Sequence, residues 1–194
     1  MGQEAVHKLS IREYLEMELT ADIKHEFHDG EIFAMAGGSK NHGIIGTNIL
    51  TELNLLGRKK DCTTFNGDVK IRIDTANRFV YPEASMICGE VISSEVDNDA
   101  IVNPMIIAEV LSDSTEAYDR GAKFRLYQQL LSFKEYILID QYRPIVTVFF
   151  LKGDNIWEMR EITGPTGLVP LQSLNESISM KDIYSGVKGL ENPY

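Results

Sequence analysis

An apolar run near the middle of the chain, at residues 105–111, contains a single acid, Glu109. Apolar residues fill both alternating faces of this run, which is typical of a strand that is covered on both sides. Glutamate is seldom fully buried unless it is paired or bound to a metal. The pattern therefore predicts a central strand with a carboxylate inside it.

The segment after this strand has the features of a helix start. Asp113 and Glu116 have the spacing of a capping box, and a helix is predicted from about residue 115 to residue 131. A second apolar run follows at residues 136–139. The middle of the chain thus predicts a unit of strand, helix and strand.

The other predicted elements are short helices, strands and two hairpins. In chain order they are a helix opened by a capping box at residues 10–13, a hairpin around residues 29–30, a helix at 42–56, strands within 63–73 and 79–88, a polar surface loop at 93–103, a hairpin joined at 153–154 and a final helix at 179–184. Because the sequence has no internal repeat, low-complexity tract or obvious linker, we expect one mixed α/β domain over residues 1–194.

Composition narrows the class of protein. The chain is 43% hydrophobic and 9% aromatic, as in ordinary globular proteins. No apolar run approaches the roughly 18 residues of a membrane span, and the N-terminus lacks the apolar core of a signal peptide, so we expect a cytoplasmic protein. Cys62 and Cys88 lack metal-ligand spacing, and we expect buried free thiols rather than a disulfide.

The net charge of −10 is a mild argument against non-specific nucleic-acid binding, which needs a positive surface. It does not exclude a basic cleft on an acidic body, and carboxylates that serve a metal site also lower the total. The charge therefore leaves nucleic acid open as a partner.

Two acids on predicted strands can form a metal site. Glu83 precedes Glu109 by 26 residues, and their carboxylates can converge if the two strands are neighbours. Paired carboxylates with water suit Mg²⁺, which prefers oxygen ligands and keeps part of its hydration shell. Such a site can activate a water and shield phosphate charge during hydrolysis.

A lysine on the predicted helix can reach the same place. From Asp113, Glu109 lies about 13 Å back along a strand, and Lys123 lies about 15 Å forward along a helix. If the helix packs back over the sheet, Lys123 is therefore level with Glu109. Asp119, Lys123 and Tyr127 follow at helical spacing and share a face, where an ammonium group can hold a phosphate or orient a water.

Each candidate also has a purely structural interpretation. Glu83 can be a solvated acid at a strand end, and Glu109 a paired core acid. Lys123 can simply pair with Asp119 on a solvated helix face. The other candidates have structural interpretations too: Glu26 can be a surface residue, His42 a residue of a first helical turn, Asp68 a turn cap, and Lys70 and Arg72 a solvated strand face. His25 and His28 have only a weak zinc spacing.

Several segments resemble one nuclease family. They are Tyr81-Pro-Glu83, residues 108–123, residues 136–140, residues 25–30 and the pair Asn41-His42. In these segments the chain is similar to the Uma-type family of restriction endonucleases, which belongs to the PD-(D/E)XK nuclease superfamily. The likeness extends from about residue 9 to residue 151, and the stretch from Glu109 to Lys123 is its most specific part.

The resemblance implies a restriction endonuclease-like α/β fold, with a mixed central β-sheet flanked by α-helices. It implies a metal-dependent endonuclease that hydrolyses phosphodiester bonds of DNA. Glu83 and Glu109 would bind Mg²⁺ or Mn²⁺, and Lys123 would be the active-site lysine. Glu26, His42 and Asp68 are second-tier candidates. A homodimer is a further expectation, because cutting both strands calls for two sites.

Two positions depart from the superfamily pattern. The Pro-Asp pair is Pro82-Glu83 here, and the extra methylene moves the carboxylate by about one bond length. The lysine expected two residues after the second acid is Leu111, and the resemblance implies that Lys123 replaces it.

Two other functions stay open at this stage. One is a catalytically inactive nuclease fold that serves as a binding or interaction module, since fold does not guarantee activity. The other is a metal-dependent hydrolase of a different phosphate ester, which would show no salt-dependent affinity for DNA.

Overall fold

The computed structural model of the chain describes residues 8–35 and 37–192. The signal-peptide expectation concerned residues 1–7, which lie outside these ranges. The helices are α1 (Ile11–Glu18), α2 (Lys40–Gly57), α3 (Glu116–Tyr118), α4 (Phe124–Tyr127) and α5 (Met180–Ile183), and a π-helical turn (Asp119–Lys123) joins α3 to α4. The strands are β1 (His25–His28), β2 (Glu31–Ala34), β3 (Cys62–Asn66), β4 (Ile71–Ile73), β5 (Arg78–Val80), β6 (Ala84–Cys88), β7 (Ser93–Ser94), β8 (Asp97–Ile101), β9 (Ile106–Leu111), β10 (Glu135–Asp140), β11 (Ile145–Gly153), β12 (Ile156–Thr163), β13 (Leu168–Leu171) and β14 (Glu176–Ser179).

Two six-stranded mixed sheets form the framework, with few helices around them. The first sheet has the order β2-β1-β5-β4-β8-β7, and the second has the order β12-β11-β10-β9-β6-β3. One parallel pair occurs in each sheet, β4 with β8 and β9 with β10. The predicted α/β class is therefore confirmed, although the strands divide between two large sheets.

Strand β9 is the buried centre of the second sheet, as its apolar pattern predicts. All six of its residues are buried, and β10 lies parallel to it in register. Ile106, Ala108 and Val110 pack in one core cluster with residues of α2. Ile107 and Leu111 belong to a second cluster, which includes residues of α4. Because strand side chains alternate, Glu109 lies on the face covered by the helical segment 116–127.

That helical segment is shorter than predicted. It spans residues 116–127, and its N-cap residue Thr115 makes no side-chain capping bond. The expected capping box of Asp113 and Glu116 is wrong, because the Glu116 carboxylate instead pairs with Arg120 at 2.7 Å. The capping box at the start of α1, between Ser10 and Glu13, is confirmed.

The segment 79–88, predicted as one strand, is divided between the two sheets. Its first part is β5 in the first sheet, and its second part is β6 in the second sheet. Residues 81–83 cross from one sheet to the other, which places Glu83 at the junction. The predicted loop at residues 93–103 contains β7 and β8, and the pair β13 and β14 had no prediction.

The expected solvated face of strand β4 is also wrong. Arg72 is only 5% exposed, and its guanidinium carbon lies 4.7 Å from the centre of the Phe79 ring. Its Nε donates to Asp74 at 2.7 Å. Lys70, just before the strand, pairs with Asp97 at 2.7 Å. Aromatic packing and local acids thus bury charges that an alternating pattern assigns to solvent.

The two cysteines form a disulfide, so the expectation of free thiols is wrong. Cys62 and Cys88 are directly opposite each other in the β3–β6 pair, with Cα atoms 3.9 Å apart. Strand register brings them together, and register between distant segments cannot be read from cysteine spacing. Within residues 8–35 and 37–192, no helix combines the length and apolar content that a membrane crossing requires.

Candidate active site

Lys123 and Glu109 meet on the covered face of the second sheet. The Lys123 Nζ lies 2.8 Å from Glu109 Oε1, and each side chain is 6% exposed. The turn after β9 reverses the chain, and the helical segment runs back across the sheet. The distances along strand and helix therefore match, as the spacing of the two residues predicts.

The helical segment 116–127 carries the other two residues predicted for this face, Asp119 in the π-helical turn and Tyr127 in α4. Asp119 Oδ1 lies 3.7 Å from Lys123 Nζ. Tyr127, at the end of α4, donates its hydroxyl to Glu109 Oε1 at 2.9 Å. Single π turns inside helices occur frequently at functional sites. The helical segment thus presents an acid, a lysine and a tyrosine to the strand acid.

Glu26 enters the cluster from β1 in the other sheet. Its Oε1 lies 3.5 Å from Lys123 Nζ and accepts the Tyr81 backbone N–H at 3.3 Å. Its Oε2 is 2.9 Å from His28 Nε2 and accepts the Tyr118 hydroxyl at 3.3 Å. Four polar groups thus fix this carboxylate, which the resemblance gave only as a second-tier candidate.

Glu83 lies at the more open side of the cluster. Its side chain is 31% exposed, and His42 Nε2 lies 3.4 Å from its Oε1. The segment that carries it also holds the lysine, because Lys123 Nζ donates to the Tyr81 carbonyl at 3.0 Å. A Cβ at Gly46 would lie 2.8 Å from Glu83 Oε2, so the absence of a side chain there lets α2 approach.

Asp68 lies apart from these groups. Its side chain is 73% exposed and pairs with Lys24 at 2.9 Å, and it accepts the Asn66 side-chain amide at 2.8 Å. These contacts match its structural interpretation as a turn residue. His25 and His28 also do not form a pair, since His25 contacts Glu18 whereas His28 contacts Glu26.

The electrostatics of the cluster follow from burial and crowding. Burial raises the pKa of Glu109 to about 8, with Lys123 opposing the rise and Asp119 adding to it. Burial lowers the pKa of Lys123, but Glu109, Glu26 and Asp119 raise it by more. The ammonium group therefore keeps its proton at neutral pH.

The remaining acids respond in opposite ways. Burial raises the pKa of Glu26, but Lys123 and His28 lower it by more, so its net shift is downward. Burial raises the pKa of Asp119, and Lys123 only partly offsets that rise. Three acids surround Lys123, and Glu83 lies beside them, so the cluster has more acids than bases, which favours a bound cation.

Glu83 and Glu109 have the donor chemistry for Mg²⁺. Their charges interact, since Glu83 contributes to the raised pKa of Glu109. Tyr127 and Lys123 both contact Oε1 of Glu109. No group of three or more potential metal ligands exists among the described residues, so two carboxylates would share the ion with water.

Comparison with known families decides what kind of protein has this geometry. Residues 11–181 match the family model of Uma2, described as "Putative restriction endonuclease". The chain belongs to the Uma2 family. The predicted family is therefore confirmed, over a range that includes Glu26, Glu83, Glu109, Asp119 and Lys123.

Two curated relatives of this Uma2 chain come from Synechocystis sp. The chain is 35% identical over 180 residues to "Uncharacterized protein slr1290", with 93% of each chain covered. It is 34% identical over 156 residues to "Uncharacterized protein sll1609", with 80% of this chain and 88% of the relative covered.

A solved structure shares the fold. It is the crystal structure of a "putative nuclease belonging to DUF820" from Anabaena variabilis, with a TM-score of 0.73 and 17% identity, over 91% of this chain and 98% of that one. The predicted restriction endonuclease-like class is confirmed by this match. Family and fold together support a nuclease-like role.

Several residues of the site were missed by sequence reasoning. His28 follows Glu26 by two residues in a strand, a spacing that places both side chains on one face and would have revealed it. Gly46 interrupts an apolar helical pattern, which often marks a close approach. Tyr118 and the Tyr81 carbonyl gave no signal, because only the tertiary fold brings them to Lys123.

Proposed function

We propose that this Uma2 protein is a metal-dependent endonuclease that hydrolyses phosphodiester bonds of DNA. The observation that carries the proposal is the position of Lys123, whose ammonium group lies 2.8 Å from Glu109 Oε1. A fixed cation beside two acids with the chemistry of Mg²⁺ ligands is the arrangement that phosphodiester hydrolysis calls for.

Glu83 and Glu109 would hold Mg²⁺ or Mn²⁺ through their carboxylate oxygens. When bound, the ion would supply an activated water and shield the phosphate charge. Tyr127 orients Glu109 through its hydroxyl, and Glu109 must be deprotonated to take part. The more exposed side chain of Glu83 marks the side from which substrate would approach.

Lys123 would stabilise the charge that develops on the scissile phosphate. Its ammonium keeps its proton because three carboxylates surround it, so it acts as a fixed charge rather than as a base. Glu26 and Asp119 hold the ammonium in place at 3.5 and 3.7 Å. They are positioning residues in this proposal.

The test is nicking of supercoiled plasmid DNA in Mg²⁺ or Mn²⁺, with wild type compared with Glu109→Gln. Glu135→Gln is the matched control, because Glu135 is also fully buried on a strand but accepts hydrogen bonds from Gln172 and Ser173 instead. We expect nicking by wild type and by Glu135→Gln, and its loss in Glu109→Gln with the fold intact. Equal nicking by Glu109→Gln would refute the proposal.

The second candidate is a nuclease-fold binding module without catalysis. Two observations favour it: the lack of a three-ligand metal group among the described residues, and the net charge of −10. Calorimetry with Mn²⁺ separates the candidates, because an inactive site should bind the ion poorly.

A hydrolase of other phosphate esters would instead cleave a small phosphodiester and leave the plasmid intact. Sedimentation would test the proposed homodimer.

A further inference from the structure

An exposed aromatic side chain lies beside the active-site cluster. Phe33 is on β2, at the edge of the first sheet, and it is directly opposite Glu26 in the β1–β2 pair. Directly opposite residues of antiparallel strands project from the same face. Phe33 therefore points to the face where Glu26 meets Lys123, and it is 48% exposed.

Aromatic contacts connect Phe33 to the cluster. Its ring centre lies 4.6 Å from that of His28, and the His28 ring lies 5.9 Å from that of Tyr118. His28 and Tyr118 both contact Glu26 Oε2. One side of the Phe33 ring is thus supported by the site, and about half of its surface is open to solvent.

We propose that Phe33 is the stacking platform for an unpaired nucleobase of the substrate, next to the phosphate that Lys123 would hold. This inference rests on the proposed function, and it names the form of nucleic acid that the site accepts. Aromatic side chains stack on every base because every base has a π face.

The charges around Phe33 select a base rather than a phosphate. Glu31 is exposed on the same strand face, opposite His28, and Glu26 is directly opposite Phe33. The exposed Glu31 carboxylate would repel a phosphate at the ring, whereas Glu26 is buried and paired with Lys123 and His28, and a neutral base would gain apolar contact with the ring. The backbone would therefore pass near Lys123, with the adjacent base turned toward β2.

A base can stack on Phe33 only after it leaves its neighbours in the duplex. Unstacking costs least in single strands and at damaged or mismatched positions. The substrate class that follows is DNA with an unpaired base beside the cleaved bond, such as a single strand, a flap or a locally melted duplex.

The experiment measures binding of a short fluorescent single-stranded DNA without divalent metal, so that no cleavage occurs. We expect Phe33→Ala to bind about 10-fold more weakly than wild type, which corresponds to about 1.4 kcal/mol. Phe33→Trp, which keeps a stacking face, should bind like wild type. Leu55→Ala is the matched control, because Leu55 is also 48% exposed but lies on α2.

Abasic substitutions along the oligonucleotide identify the contact. We expect one position at which loss of the base weakens binding to wild type about 10-fold but leaves binding to Phe33→Ala unchanged. Equal affinities of wild type and Phe33→Ala would overturn the inference, as would a loss that no abasic position reproduces. A variant that changes sedimentation and leaves DNA binding unchanged would identify a protein contact instead, which also overturns it.

Plasmid nicking separates this inference from the proposed function. Nicking by wild type with unaltered DNA affinity in Phe33→Ala would refute the stacking platform alone. No nicking by wild type, with base-dependent binding through Phe33, would support the platform on a non-catalytic module. No binding of the oligonucleotide by wild type would refute the platform outright.

Discussion

Replacing Lys123 by methionine tests the electrostatic design of the site. The ammonium group contacts Glu109 at 2.8 Å, Glu26 at 3.5 Å and Asp119 at 3.7 Å, and all four side chains are at most 10% exposed. Methionine keeps much of the apolar stem and removes the charge. The variant therefore leaves three buried carboxylates without their shared counter-charge.

The expected loss of stability is large. At an effective dielectric constant of about 20, the 2.8 Å contact with Glu109 alone represents about 6 kcal/mol of gross attraction, much of which burial cancels. Removing one partner of a buried pair usually costs about 3–5 kcal/mol. We expect Lys123→Met to lower the free energy of unfolding by that amount at pH 9, against a typical total of about 5–15 kcal/mol.

The loss should be smaller at pH 6. Without Lys123, the pKa values of the surrounding carboxylates rise further, so the folded variant binds more protons than wild type does. Since stability falls with pH wherever the folded state binds more protons, the deficit must grow as the pH rises from 6 to 9. Glu109 dominates this window, because its pKa is already raised to about 8 in wild type.

Urea unfolding followed by Trp157 fluorescence measures both values. This tryptophan is the only one in the chain, and its ring lies 5.1 Å from Phe124 and 5.2 Å from Phe133 in the core. Lys70→Met is the matched control, because Lys70 is 13% exposed and forms its ion pair with a single acid. A loss below about 1 kcal/mol, or an equal loss at both pH values, would refute the reasoning.

Three further predictions concern the metal, a helix contact and the disulfide. Binding of Mn²⁺ should strengthen as the pH rises toward 8, and below that pH it should release protons, because Glu109 must lose its proton to bind the ion. Calorimetry showing pH-independent affinity would contradict this. Gly46→Ala should weaken Mn²⁺ binding by displacing Glu83, with stability retained, whereas Gly43→Ala, which has open space around it, should not. Reducing the disulfide should lower the free energy of unfolding by about 3 kcal/mol, because the disulfide closes a loop with a sequence separation of 26 and so restricts the unfolded chain. An unchanged urea midpoint would contradict this contribution.

The two site residues that lie close together in the chain, Glu109 and Lys123, could be placed relative to each other from the sequence. The rise per residue in a strand and in a helix is fixed, so the positions of Glu109 and Lys123 around one turn determine that they are level. The apolar pattern of residues 105–111 likewise predicts a covered strand. These conclusions needed no knowledge of which strands, far apart in the chain, pair with each other.

The remaining parts depend on pairing between distant segments. Glu26 reaches Lys123 because β1 pairs with β5, which places the hairpin beside Tyr81. The division of residues 79–88 between two sheets, the buried Arg72 and the disulfide have the same origin. Local propensity carries no information about which strands become neighbours, and a slip of one residue would turn each side chain to the other face.

The most direct test of the central claim is plasmid nicking in Mg²⁺ by wild type, Lys123→Met and Lys70→Met. The account predicts nicking by wild type and by Lys70→Met, and at least about a 100-fold loss of rate in Lys123→Met, as for removal of a preorganised charge at a reacting oxygen. Lys123→Met should still bind Mn²⁺, because both proposed ligand carboxylates remain. Nicking by Lys123→Met at the wild-type rate would contradict the account.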